Sequence, residues 1–212
     1  MFITLDGGDG CGKSTQIRHL AERFTKQGHS VVLCRDPGTT PLGDAVRDIL
    51  LNKKGLAIAD ITELLLFSAA RAQLVREIIQ PALASGQIVL SDRFLASTYA
   101  YQCYAGGVSE EVFSLVCAAA VGSVLPDLGI ILDISYEVAV RRIGHRAVPD
   151  RMESKGEDYH RQVREGFLRY AAAEPERYSV IDAALSPDDV AELVWSRISP
   201  NITAHDVNVN TC

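Results

Sequence analysis

Apolar and polar positions alternate along the chain in blocks typical of strands and helices in turn. Ile17, Leu20 and Phe24 recur at helical spacing and predict a helix, which is expected to end at Gly28. Short apolar runs typical of buried strands cover residues 2–5, 30–33, 87–90, 129–134 and 178–181. Strands separated by helices in this way predict an α/β fold, with a five-stranded parallel sheet flanked by helices on both faces.

Start and stop signals outline the remaining helices. Asp60, with Glu63 three residues later, resembles the N-cap of a long helix that runs towards residues 85–86. Ser135 resembles the cap of another helix, and Ser186 followed by Pro187 marks the start of the last one. Further helices are predicted over about residues 41–54, 95–103, 109–121 and 157–173.

The pattern fits a single domain over residues 1–198, because no repeat and no interdomain linker interrupts it. Residues 146–156 are charged and broken by Pro149, so this segment is expected to be mobile. Residues 199–212 lack apolar periodicity and are expected to form a flexible tail.

Composition and charge narrow the class of protein. The 212 residues carry a net charge of −6 and no basic run, which disfavours binding to nucleic acid or to an anionic membrane surface. No apolar run approaches the roughly 18 residues of a membrane span, and no secretion signal opens the chain. The five cysteines are scattered, without metal-ligand spacing. These features predict a cytoplasmic protein.

Candidate chemistry begins directly after the first predicted strand, where the sequence GGDGCGKST contains a complete G-x-x-x-x-G-K-S phosphate-binding loop. Its glycines let successive backbone N–H groups point into one concavity that holds a triphosphate. Lys13 would reach the β- and γ-phosphates, and Ser14 would bind Mg²⁺. The alternative is a glycine-rich turn that binds nothing, but a strand before the loop and a helix after it favour the functional interpretation. The predicted ATP-binding residues are Gly7, Gly8, Asp9, Gly10, Cys11, Gly12, Lys13, Ser14 and Thr15.

Asp92 and Arg93 follow the apolar run 88–90, which places them at the carboxyl end of a predicted strand. Open parallel sheets bind ligands at that edge. Asp92 is suited to hold Mg²⁺ through water or to orient Ser14, and the planar fork of Arg93 is suited to a phosphate. A surface ion pair at a strand end is the alternative, and the phosphate-binding loop in the same chain argues against it.

Two helical pairs could form a base pocket. Phe67 and Arg71 are four residues apart, as are Thr98 and Gln102, so each pair lies on one helix face. The first pair could supply an aromatic platform with a cation beside it, and the second could supply hydrogen bonds. Phe67 in the core and Arg71 as a solvated charge are equally compatible with this spacing.

Taken together, these motifs resemble bacterial thymidylate kinase, within the P-loop nucleoside monophosphate kinases. The resemblance covers residues 1 to about 198 in order and at family spacing. It is carried by Asp9, RDPGT at 35–39, Arg47, LFSAAR at 66–71, DRFLASTYAYQ at 92–102, and Asp150-Arg151. RDPGT stands where the family usually has Arg-Glu-Pro-Gly-Gly, so this turn could sit differently.

The resemblance implies a P-loop kinase fold with a mobile lid over about residues 142–156. It implies transfer of the γ-phosphoryl group of ATP to dTMP, with Mg²⁺, in a homodimer. In the family, the loop carboxylate meets the deoxyribose 3′-hydroxyl and the aromatic residue stacks on thymine. The implied dTMP-binding residues are Asp9, Pro37, Arg47, Phe67, Arg71, Arg93, Thr98 and Gln102.

The resemblance also implies which charges catalyse the transfer. Family members carry a basic residue either inside the phosphate loop or in the lid, and this loop has no cation before Lys13. The expected catalytic residues are therefore Lys13, Arg93 and the lid residues Arg146 and Arg151. Arg142 fits a helix-end cap and a catalytic role equally well.

Two other functions stay open from the sequence. The same scaffold could phosphorylate another nucleoside or nucleoside monophosphate. A protein of a different class, a nucleotide-driven switch, could use the same loop to control a partner.

Overall fold

The computed structural model describes residues 1–53, 55–144 and 150–209, with side chains described as far as residue 202. Its centre is a five-stranded sheet with the order β2-β3-β1-β4-β5, in which every paired strand is parallel. The predicted α/β fold with a parallel sheet is therefore confirmed. The strands are β1 (Phe2–Asp6), β2 (Val31–Arg35), β3 (Ile88–Asp92), β4 (Leu128–Asp133) and β5 (Tyr178–Asp182).

Helices connect the strands and cover both faces of the sheet. Those in the first half are α1 (Lys13–Lys26), α2 (Pro41–Arg47), α3 (Asp60–Leu74), α4 (Gln80–Ala84) and α5 (Leu95–Thr98). The second half contains α6 (Glu110–Val121), α7 (Tyr136–Ile143), α8 (Glu157–Ala173) and α9 (Pro187–Val209). Segments of π-helix continue α2, α3 and α5 at Asp48–Asn52, Val75–Ile79 and Tyr99–Tyr104.

The central strand β1 is buried along its whole length, because helices pack against both faces of the sheet. On one face Ile3 and Leu5 contact the cluster that includes Phe24 of α1 and Val194 of α9. On the other face Phe2 joins the cluster formed with α3, α5 and α6. Burial on both faces explains why the strands are continuous apolar runs rather than alternating ones.

Helix caps follow the sequence signals at several starts. The hydroxyl oxygen of Ser135 accepts a hydrogen bond from the backbone N–H of Val138 at 3.4 Å, as the sequence predicts. The cap predicted at Asp60 is not formed, because Ala59 precedes α3 and Asp60 is the first residue of the helix. The carboxylate of Glu63, three residues on, is buried and bonded elsewhere in the fold.

The sequence predicts two mobile segments, the lid and the end of the chain. Helix α9 continues through residues 199–209, where the sequence predicts a tail, and the flexibility of that tail stays a prediction. Within the lid, residues 145–149 lie outside the described part of the chain, and Arg146 is one of them. Among the described residues, no helix has the length and apolar character needed to cross a membrane.

Candidate active site

The pairing of β1 with β3 brings two predicted elements of the site together. In their register Leu5 faces Asp92, and the backbone N–H of Arg93 donates to the carbonyl of Leu5 at 3.0 Å. The loop that follows β1 and the Asp92-Arg93 pair that follows β3 therefore meet at one edge of the sheet. This is the edge where open parallel sheets bind ligands.

The loop between β1 and α1 wraps around the ammonium group of Lys13. Gly7, Gly10 and Gly12 have φ angles of 142°, 75° and 98°, which side chains other than glycine rarely adopt. Lys13 Nζ donates to the carbonyls of Gly7 at 3.1 Å and Gly8 at 2.9 Å. The loop thus combines a fixed positive charge with the N-terminus of α1, a setting suited to an anion.

Arg93 bridges the loop and the neighbouring cleft. Its Nη1 donates to the carbonyl of Gly7 at 2.8 Å and to the hydroxyl of Ser97 at 3.1 Å. Its Nη2 donates to Asp9 at 2.7 Å. Arg93 adopts a φ of 71°, a left-handed conformation that is unusual outside glycine. Such a conformation persists where surrounding bonds enforce it.

Those bonds come largely from Asp6, which is fully buried at the end of β1. Its Oδ1 accepts from the backbone N–H groups of Phe94 and Ser97, both at 3.0 Å, and from the hydroxyl of Ser97 at 2.6 Å. Asp6, at the end of β1, therefore binds the first turn of α5, which follows β3. It thereby fixes the segment that carries Arg93. The sequence does not indicate this role, because nothing in its pattern connects residue 6 with residue 97.

Asp9 is held as a carboxylate between several donors. It pairs with Arg93 and accepts from the Tyr101 hydroxyl at 3.2 Å. Burial opposes its ionisation, but the positive charges of Arg93 and Lys13 outweigh burial and lower the pKa of Asp9. An ionised acceptor at this point suits a hydroxyl donor on a ligand.

A cleft with about 530 Å³ of empty space adjoins Asp9 and Arg93. Every residue that the resemblance assigns to the acceptor lines this cleft. They are Asp9, Pro37, Arg47, Phe67, Arg71, Arg93, Thr98 and Gln102. The cleft is also lined by Asp36, Ser97 and Tyr101, which the sequence motifs do not predict as site residues.

Arg71 is almost fully buried against the wall of the cleft. Its Nε donates to Asp36 Oδ2 at 2.5 Å, and its Nη2 donates to the Thr98 hydroxyl at 2.5 Å. Burial works against the guanidinium charge, but Asp36 outweighs burial and raises the pKa of Arg71. The second oxygen of Asp36, Oδ1, has no hydrogen-bond partner within the part of the chain that the structure describes.

Positive charge concentrates near Pro37. Arg47 Nη1 donates to the carbonyl of Pro37 at 3.0 Å. Burial lowers the pKa of Arg47, and the nearby charges of Arg35 and Arg93 lower it further. Cations held this close repel one another, so an anion bound among them would stabilise the group.

The lid-side arginines make contacts away from the loop. Arg151 forms an ion pair with Glu63, and its Nε donates to the carbonyl of Leu50 at 2.7 Å. Arg142 Nη2 donates to the carbonyl of Ala184 at 3.2 Å, in the loop between β5 and α9. The catalytic roles expected for Arg146 and Arg151 stay predictions.

A second cleft, with about 1070 Å³ of empty space, also reaches Gly8 and Asp9. It is lined mainly by the end of β4 and by apolar side chains of α7 and α8. This cleft borders Gly144, where the described part of the chain is interrupted. We assign no ligand to it.

Comparisons with known proteins agree on one family. The sequence profile described as Thymidylate kinase matches residues 5–194. The thymidylate kinase of Deinococcus radiodurans is 41% identical over 199 residues, which cover 94% of this chain and 96% of that protein. The thymidylate kinase of a Thermoanaerobacter species is 46% identical over 181 residues, covering 85% and 88%. A crystal structure of thymidylate kinase from Ehrlichia chaffeensis aligns with a TM-score of 0.76 at 33% identity, covering 94% of this chain and 98% of that one.

The role of Asp6 can be measured against Asp182, another carboxylate at the end of a strand. Asp6→Ala should cost about 2–4 kcal/mol of unfolding free energy, because it leaves buried N–H groups without an acceptor. Asp182 is exposed and accepts from the N–H of Ala184 at 2.9 Å, so Asp182→Ala should cost less than about 1 kcal/mol. Urea unfolding of both variants measures the difference, and equal losses would contradict the role given to Asp6.

Proposed function

Because the chain belongs to the thymidylate kinase family, we propose that it transfers the γ-phosphoryl group of ATP to dTMP, giving dTDP and ADP. The observation that carries the proposal is the meeting of two sites at Asp9 and Arg93. The phosphate-binding loop lies on one side of this pair, and the cleft lined by the expected acceptor residues lies on the other. A donor and an acceptor bound there would have their phosphates next to each other.

In this proposal the donor triphosphate occupies the loop. The backbone N–H groups at the start of α1 and the ammonium group of Lys13 would hold its β- and γ-phosphates. The contacts of Lys13 with the carbonyls of Gly7 and Gly8 keep its charge at the loop, where the phosphates would bind.

Ser14 and Asp92 fit a magnesium ion that accompanies the nucleotide. Asp92 Oδ1 is buried and has no hydrogen-bond partner among the described residues, so an acceptor is left available. Ser14 is exposed in the first turn of α1, next to the loop. Mg²⁺ bound in this way takes its other ligands from phosphates and water, and it supplies charge neutralisation when bound.

The acceptor would lie in the cleft with its phosphate near Arg47 and Arg93. The mutual repulsion of these cations supports this placement, since an anion between them relieves it. Phe67 supplies a partly buried ring at the cleft for stacking on the base, and Asp9 supplies the acceptor that the resemblance assigns to the 3′-hydroxyl. Thr98 and Gln102 line the same cleft and would supply hydrogen bonds to the base.

Phosphoryl transfer from ATP to a monophosphate needs little general-base catalysis, because the accepting phosphate is already ionised at neutral pH. It needs a positive field that brings two anions together and stabilises charge in a loose transition state. Lys13 and Arg93 would provide this field, and Arg146 and Arg151 are proposed to add to it. We place this chemistry in the cytoplasm, where both nucleotides are available.

A homodimer forms a second part of the proposal. Helices α3 and α6 pack side by side, and both expose apolar side chains to solvent. Ile61 and Leu65 of α3 are 44% and 50% exposed, and Leu115 of α6 is 67% exposed. A symmetric contact between two copies would bury these side chains.

A nucleotide panel tests the proposed reaction against the alternatives. The protein with ATP and Mg²⁺ should consume ATP when dTMP is added, faster than with dUMP or thymidine, and Lys13→Ala should abolish the activity. Steady ATP consumption without an acceptor would favour the nucleotide-driven switch. A preference for thymidine or dUMP over dTMP would favour the other kinase. Coupled ADP detection measures every case.

The dimer proposal predicts the effect of a charge placed at the proposed contact. Leu115→Glu should convert the dimer to a monomer, because a buried unpaired carboxylate costs more than the contact gains. Leu193→Glu is the matched control, since Leu193 is 42% exposed on α9, outside the proposed contact. Light scattering coupled to size exclusion gives both masses. A dimeric Leu115→Glu variant, or a monomeric wild type, would contradict the proposal.

A further inference from the structure

Glu63 of α3 is a buried carboxylate, with 3% of its surface exposed, and it contacts Gln102, which lines the cleft of the proposed acceptor. Its Oε1 accepts a hydrogen bond from Gln102 Nε2 at 2.8 Å. Its Oε2 accepts from Arg151 Nη2. Both oxygens are therefore used, one by a residue that lines the cleft and the other by a cation.

The cation is itself held in place by the backbone. The side-chain Nε of Arg151 donates to the carbonyl of Leu50 at 2.7 Å, and the backbone N–H of Arg151 donates to the carbonyl of Leu51 at 3.2 Å. A buried carboxylate without a cation would carry a large desolvation cost, and the ion pair with Arg151 offsets that cost for Glu63. The ion pair between Glu63 and Arg151 therefore holds the carboxylate of Glu63, and its contact with Gln102, in a fixed position.

The hydrogen bond to the Glu63 carboxylate determines how the amide of Gln102 is oriented. A carboxylate only accepts hydrogen bonds, so Gln102 must direct its NH₂ group towards Glu63. The amide is planar, and its carbonyl oxygen then points away from Glu63. Gln102 is 3% exposed and lines the cleft, so this oxygen is the group it offers to a bound base.

An acceptor at this position distinguishes pyrimidines by their hydrogen-bonding edges. Thymine and uracil carry a donor at N3, which such an oxygen can accept. Cytosine carries an acceptor at N3, so the same oxygen faces a lone pair. A site built for one pattern rejects the other strongly, because the mismatch leaves buried polar groups unpaired.

We propose that Glu63, held by Arg151, is a positioning residue that fixes the carbonyl oxygen of Gln102 towards the base and makes the cleft select an imide pyrimidine over cytosine. This inference rests on the proposed phosphorylation of dTMP. It gives Arg151 a role in base selection, apart from the catalytic one that the sequence predicts.

The test compares kcat/KM for dTMP and dCMP in the wild type and in Glu63→Gln. The substitution keeps the shape of the side chain but offers Gln102 a donor as well as an acceptor. The amide of Gln102 can then flip and exchange the positions of its oxygen and its NH₂ group. The ratio of dTMP to dCMP should fall at least about tenfold, mainly through a higher KM for dTMP, with kcat changed less. A general weakening of the fold would lower both activities together and leave the ratio unchanged.

Glu77→Gln is the matched control, because Glu77 is an exposed glutamate that accepts from Gln73 in the helical segment that continues α3. Its ratio should equal that of the wild type. Gln102→Leu supplies a second check: in that background, Glu63→Gln should have no further effect on the ratio, because the two residues act through one contact. If Glu63→Gln does not fold, Glu63→Asp replaces it, and its shorter reach should also lower the ratio.

An unchanged ratio in a folded Glu63→Gln or Glu63→Asp variant would overturn this inference and leave the proposed reaction intact. A wild type that phosphorylates no monophosphate would defeat the proposed reaction instead. In that case, calorimetry on the wild type and on Glu63→Gln gives the ratio of the dissociation constants of dTMP and dCMP. That ratio decides the role of Glu63 independently of turnover.

Discussion

The contact between Arg93 and the phosphate-binding loop is the interaction on which the rest of the site depends. Its guanidinium bonds both the carbonyl of Gly7 and the carboxylate of Asp9, so it joins the loop after β1 to the segment after β3. The parallel pairing of these strands makes this contact possible, and Asp6 holds the unusual backbone conformation of Arg93. Loss of the Arg93 contacts, of the β1–β3 pairing or of Asp6 would separate the phosphate-binding loop from the neighbouring cleft.

Three buried carboxylates organise the acceptor cleft behind its lining. Asp6 fixes the segment of Arg93, Asp36 binds Arg71, and Glu63 accepts a hydrogen bond from Gln102. Each faces a donor that would otherwise be free to move, and each is placed on a rigid element or at its end. Catalysis by a positive field requires that arrangement, because charges that reorganise during the reaction stabilise its transition state less.

The sequence was sufficient where local patterns decide the structure. Apolar runs located the strands, and the rule that ligands bind at the carboxyl ends of parallel strands placed Asp92 and Arg93 beside the loop. The sequence pattern was insufficient to predict the roles of side chains that contact residues far away in the chain. Glu63 resembles part of a helix start signal, yet it bonds Gln102 and Arg151, which are 39 and 88 residues away. The role of Asp6 likewise depends on a strand pairing that periodicity does not show.

The most direct test of this account is the turnover of Arg93→Gln with ATP and dTMP. The variant removes the charge that is proposed to join the two substrates. Its control is Arg169→Gln, at an exposed arginine on α8. We expect kcat of the folded variant to fall about 100-fold or more, and the control to match the wild type. A folded Arg93→Gln variant that turns over within about threefold of the wild type would contradict the account.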